Sequence, residues 1–98
     1  MKILALERAI AGTTWEHTEK LLAQEAYHVF QLYLRDCVRE IYFTEDKNAV
    51  LVLETEDRQA AQKLLDELPL VKAGKIRFEI CVLRPYTGYE RIMHDAGS

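Results

Sequence analysis

One carboxylate in this chain stands where a proton shuttle would be built. Wound as a helix at about 100° per residue, Trp15, Leu22, Ala26, Val29 and Tyr33 fall within about 60° of one another. Leu21 and Leu32 flank them on one side, Phe30 and Leu34 on the other. Glu25 lies on the shoulder of that apolar face, between Thr18 and Leu32. A carboxyl group in partly dry surroundings holds its proton to higher pH than one in water, which fits it for general acid and base work. The same position also suits an exposed glutamate paired with a neighbouring arginine, so pattern alone leaves both readings open.

A second set of polar groups sits on strand patterns. Lys75 to Leu83 alternates, with Ile76, Phe78, Ile80 and Val82 on one face and Arg77, Glu79, Cys81 and Leu83 on the other. Either Glu40/Tyr42 or Arg39/Ile41 shares the second face from the strand Cys37 to Phe43, and Glu7 or Arg8 joins from the first strand. Tyr42 would then be a wall for stacking or hydrogen bonding, and Arg39 or Arg77 an anion clamp beside a developing enolate. A mutually satisfied ion-pair network is the alternative. Metal binding is argued against. His17 and His28, on one helix, are separated by roughly 16 Å along its axis, His94 sits in the tail beside Asp95, and no cysteine pair has ligand spacing. There is no Gly-rich phosphate loop and no nucleophile elbow, so no cofactor is expected.

The elements that must position these groups are readable. Lys2–Ala9 reads as a strand, and Thr13 with Glu16 forms a capping-box pattern that starts a helix running to about Arg35. Cys37–Phe43 and Ala49–Thr55 form an antiparallel hairpin across a polar turn. A second helix runs from near Asp57 to before Pro69, residues 71–74 connect, and Lys75–Leu83 is the last strand. The order βαββαβ predicts an α+β, ferredoxin-like domain over residues 1–85: a four-stranded antiparallel sheet with two helices on one face. Residues 86–98 form a C-terminal extension, rich in tyrosine and without periodic pattern. Since Ala49–Leu53 is apolar on both sides, the helix-free face is expected to be covered by a second copy, giving a homodimer or larger ring whose cavity takes a small molecule.

Composition bounds the partners. The chain has 98 residues, 49% of them apolar, and a formal charge of −3, so it makes one domain. Lysines and arginines form no basic stripe, which excludes nucleic acid as the expected partner. No apolar run approaches the roughly 20 residues that span a bilayer, and Lys2, Glu7 and Arg8 interrupt any apolar leader. With Cys37 and Cys81 read as reduced core thiols, the expectation is a cytoplasmic protein.

Leu68-Pro69-Leu70, Ile76, Glu79, Leu83-Arg84, Ile92, His94 and Asp95, with the long first helix and Ala49-Val50-Leu51 in register, resemble the muconolactone isomerase group of the dimeric α+β barrel superfamily. The resemblance implies a ferredoxin-like subunit whose sheets pack into a closed dimeric barrel, and a cofactor-free proton shift on an unsaturated lactone. It also puts Glu25 where that group carries a helix glutamate suspected of proton transfer. The second strand departs from the group: Glu40 and Phe43 stand where cationic groups for a carboxylated lactone are expected, and an acidic residue there repels such an anion. The expectation is therefore an isomerase-like enzyme. A non-catalytic binding or oligomerisation module is the alternative, and a monooxygenase-like relative a further one.

Overall fold

The computed structural model describes residues 1–96, with side chains through Met93. Four strands, β1 (Lys2–Ala9), β2 (Val38–Phe43), β3 (Ala49–Glu54) and β4 (Ile76–Leu83), form one antiparallel sheet in the order β2-β3-β1-β4. Helices α1 (Glu19–Leu34) and α2 (Arg58–Asp66) provide the second layer, followed by the single turn α3 (Pro69–Lys72), and α4 (Glu90–Ala96) lies beyond β4. The βαββαβ order is as expected from sequence, with one helical turn added before β4.

Period-two alternation decides which side each strand residue takes. Ile3 and Ala5 of β1, Leu51 and Leu53 of β3, and Ile76 and Ile80 of β4 are buried beneath the helices, together with Ala61, Leu65 and Leu68 of the α2 region. On the opposite side lie Leu4, Leu6, Val50 and Val52, cross-paired in the register Leu4↔Val52 and Leu6↔Val50 and only half-buried. An apolar patch is thus left open on the helix-free face. Cys81 belongs to that face and is exposed; Cys37 is half-buried, and both thiols are free.

Three details differ from the sequence reading. The first helix begins at Glu19, since the chain turns at Gly12 and again at His17, whose φ is +56°. The Thr13/Glu16 capping box is therefore not used; Thr18 precedes the helix and spends its hydroxyl donating to the Trp15 carbonyl at 2.8 Å. His17 consequently lies in the loop and only His28 on α1. Second, the inward face of α1 carries Leu32, which is buried, and Leu21, Glu25, His28 and Val29, which are half-buried. The broad stripe of Leu22, Ala26, Phe30 and Tyr33 is largely exposed beside it. Third, the tail is not patternless: residues 90–96 are helical. The side chains of His94 and Asp95 lie outside the described residues.

Candidate ligand cleft

A bulge in β2 shapes the site. The register passes from Val38↔Leu53 to Glu40↔Val52, which leaves Arg39 unpaired. The extra residue reverses the parity of the strand. Ile41 and Phe43 then fall on the helix side with Leu51 and Ala49, and Glu40 and Tyr42 on the open side. Between α1 and this part of the sheet lies a cleft of about 1230 Å³. Its floor is Val38, Leu51 and Phe78, its wall Val29 and Ala26, and its rim Trp15, Phe30, Tyr33 and Phe43. Phe30 and Tyr33 stack with centroids 6.5 Å apart. Trp15 is held at the mouth by Lys75, whose Nζ donates to the Thr14 carbonyl at 2.7 Å and lies 6.0 Å from the indole centroid.

Two carboxylates enter this apolar space. Glu25, half-buried on α1, accepts a hydrogen bond on Oε1 from the backbone N–H of Leu70 at 2.9 Å. Leu70 follows Pro69 at the start of α3, where the first amides of a helix have no internal partner. That is what the Leu68-Pro69-Leu70 stretch delivers. Burial pushes the Glu25 carboxyl above the ordinary carboxylate range, the Leu70 amide offsets part of this, and the nearby charge of Glu7 adds to the upward shift. Glu7 also lines the cleft, from β1. Its carboxyl too is pushed up by burial, with the Ala49 amide opposing. Asp46 and Lys47 of the β2–β3 turn complete the charged lining.

Glu7 was not singled out from sequence as a partner of Glu25; the signal was there, because Glu7 shares the parity of Ile3 and Ala5. The other candidates are not brought to Glu25. Tyr42, Arg77 and Glu79 project from the helix-free face, in the register Tyr42↔Val50, Arg8↔Arg77 and Leu6↔Glu79. Within a subunit the sheet separates them from the cleft. Glu79 is bonded by Arg8 at 3.3 Å and lies 3.7 Å from Arg77, so its carboxyl is held below the ordinary range, chiefly by Arg8. The ion-pair network is what these groups form. Tyr42 donates to Glu40 at 2.7 Å, and the hydroxyl is pushed up by that bond. Arg39, in the bulge, donates from Nε to the Asp36 carbonyl at 3.0 Å. Within the single chain the concave surface lies on the helix-covered side.

The class so defined is a ferredoxin-like α+β subunit with an acid-bearing apolar cleft between its long helix and its sheet. Among solved structures it is similar to muconolactone isomerase, with a TM-score of 0.72 and 16% identity over 89% of this chain and 92% of that one. It is also similar to 5-chloro-2-hydroxyhydroquinone dehydrochlorinase from Burkholderia phenoliruptrix AC1100 in complex with 2,5-dihydroxybenzoquinone, with a TM-score of 0.61 and 16% identity over 90% and 98%. No family model matches the chain, and no curated protein sequence does. The likeness to the muconolactone isomerase group that the sequence suggested holds at the level of the fold. Among the described residues no helix is long and apolar enough to cross a membrane.

Proposed function

We propose that the cleft between α1 and the sheet binds a small, oxygenated ring compound without a carboxylate, and that Glu25 moves a proton on it, as in an isomerase-type double-bond shift. The observation that supports this most is a half-buried carboxylate anchored through one oxygen by the Leu70 amide in otherwise apolar surroundings. Fixing one oxygen orients the carboxyl group, and a proton affinity raised by burial suits it to accept and return a proton. Glu7 lines the same cleft, and its charge adds to the upward shift at Glu25. With three acidic side chains and one lysine on the lining, an anionic lactone acid is disfavoured and a neutral ring favoured. The structural neighbours are by name an isomerase of a lactone and a dehydrochlorinase of a hydroxyhydroquinone, both acting on oxygenated rings. Self-association through the open apolar face of the sheet, as a dimer or larger ring, belongs to the same reading.

The test uses a simple butenolide and hydroquinone as probes in heavy water, with carbon-bound hydrogen exchange followed by NMR. The wild-type chain is expected to catalyse exchange on a bound probe, and Glu25→Gln to lose it while its far-UV dichroism is unchanged. Equal exchange in Glu25→Gln would remove Glu25 from the role. Binding by the wild type without exchange of either probe would favour a non-catalytic binding module.

A further inference from the structure

The cleft holds a second carboxylate that the proton transfer through Glu25 leaves without a task. Glu7 lies on β1 at the parity of Ile3 and Ala5, so its side chain turns to the helix-covered side of the sheet. Its register partner on β4 is Phe78, and Phe78 and Ala49 line the cleft with it. Glu7 therefore rises from the floor of the site, at a strand position where its neighbours of equal parity are aliphatic and buried. Glu25 enters the same space from the other layer, on α1. A half-buried glutamate in apolar surroundings costs stability. Among the described residues no cation pairs with Glu7, whereas the next residue, Arg8, pairs with Glu79 on the open face at 3.3 Å. Folding alone gives no reason for an acid at this point, and such groups collect where chemistry is done.

A double-bond shift needs proton handling at two carbons. In a β,γ-unsaturated lactone, a base takes a proton from the carbon between the carbonyl and the double bond. The electron pair of that C–H bond passes into the ring as a dienolate. A proton must then be added at the far end of the former double bond. One carboxyl group can serve both carbons only by presenting each of its oxygens in turn. The anchor on Glu25 works against that. Its Oε1 accepts from the Leu70 amide at 2.9 Å, which weakens that oxygen as a base and fixes the group, so Oε2 is the oxygen left for the ligand. The same amide favours the ionised form of Glu25 against its burial, as a base requires. Burial favours the protonated form of Glu7, as an acid requires.

We propose that Glu7 is the second catalytic residue of this site: Glu25 Oε2 takes the proton from one ring carbon, and the Glu7 carboxyl, from the sheet side, gives its own to the far end of the dienolate. One C–H bond breaks and one forms, no electrons are gained or lost, and the proton left on Glu25 returns to Glu7 through water at the open mouth. This rests on the reading of Glu25 given above, and the experiment separates the two. A simple β,γ-unsaturated butenolide is incubated with the chain in heavy water. NMR follows deuterium entering beside the carbonyl separately from formation of the conjugated isomer. The wild type is expected to do both, and Glu25→Gln neither. Glu7→Gln keeps the size of the side chain but has no acidic proton to give. It is expected to retain deuterium entry beside the carbonyl and to form the conjugated isomer about 10²-fold more slowly or worse, the usual loss on removing a general acid. Retained deuterium entry also shows that the variant is folded. Conjugation by Glu7→Gln at the wild-type rate would overturn the role of Glu7 and leave that of Glu25 standing. Equal loss of both signals in Glu7→Gln would overturn it too, since a merely structural role gives that result. A wild-type chain that does neither removes Glu25 and Glu7 together.

Discussion

The two faces of the sheet treat charge in opposite ways. On the helix-free face, Arg8, Glu79 and Arg77 form a chain of ion pairs in solvent, and the Tyr42 hydroxyl is spent on Glu40. On the helix-covered face, Glu7 and Glu25 enter an apolar cleft, each opposed by a single backbone amide and, among the described residues, by no cation paired with it. Charges that neutralise each other on an open surface cost little and do little. A carboxylate kept half-dry beside a like charge is costly, and such costs collect where chemistry is done. The difference is the ground on which the proposed chemistry is assigned to the helix-covered side. It leaves the other face, with its apolar centre of Leu4, Leu6, Val50 and Val52, as a surface for packing.

The largest effect that sharpens this contrast compares adjacent residues of β3. Leu51 is buried under the helices and Val50 is half-buried on the open face. Leu51→Ala is expected to cost about 2–5 kcal/mol in urea unfolding, the usual range for a core leucine truncated to alanine. Val50→Ala should cost well under about 1 kcal/mol in a chain that stays single, because water already reaches the site. If copies pair through that face, the cost of Val50→Ala grows with protein concentration and that of Leu51→Ala does not. A concentration-independent cost at Val50 would mean that the open face is simply wet.

Much of this contrast was legible in the sequence, and the part that was not has identifiable causes. The strands were readable because Ile76, Phe78, Ile80 and Val82 keep strict alternation and the open-face apolar residues of β3 break it. Placing Tyr42 relative to the cleft was not readable, because the bulge at Arg39 changes parity through one backbone irregularity that leaves no mark in residue types. The orientation of α1 was misjudged for a different reason. Leu22, Ala26, Phe30 and Tyr33 are as apolar as a core stripe, and hydrophobicity does not distinguish a residue that lines a cleft from one that fills a core. Glu25 was found by its place on the shoulder of that stripe. Its true surroundings depend on Leu70, 45 positions away, a contact that only the fold creates. The helix start was missed because Thr13 and Glu16 match a cap, while the chain instead turns through positive φ at Gly12 and His17.

An intermediate effect comes from the cleft carboxylates. Glu7 and Glu25 bind protons more tightly in the folded chain than in the unfolded one, so their contribution to stability is fully present below the unfolded carboxylate pKa and is lost as pH rises through the folded values. Removing one charge should therefore help most at neutral pH. Glu7→Gln is expected to raise the melting temperature at pH 7, by less than about 1 kcal/mol in stability once solvent screening is allowed for. The gain should disappear near pH 3, below the ordinary carboxylate range of about 4. Asp46 and Lys47 of the β2–β3 turn also line the cleft and are the same in both chains of this comparison. A Glu7→Gln gain that is the same at both pH values would point to altered packing in place of relieved charge.

The smallest effect is expected on the opposite face, and its sign is reversed. Glu79 is held below the ordinary carboxylate range by Arg8 and then Arg77. Its contribution is present above the unfolded pKa and is lost as pH falls through the folded value. The pairs are exposed, at 3.3 and 3.7 Å, so salt screens them and side-chain entropy opposes them. Glu79→Gln should leave the urea midpoint of single chains unchanged within error at pH 7, and any small loss should vanish in molar salt. The same substitution gains weight only if a second copy lies against this face. Arg8 and Arg77 would then be enclosed without their carboxylate, and an unpaired enclosed charge is far more costly than an exposed one. Dimer dissociation in Glu79→Gln, with the single chain as stable as before, is the outcome that ties the ion pairs to pairing of the sheets. Dissociation constants equal to wild type would place them outside any interface.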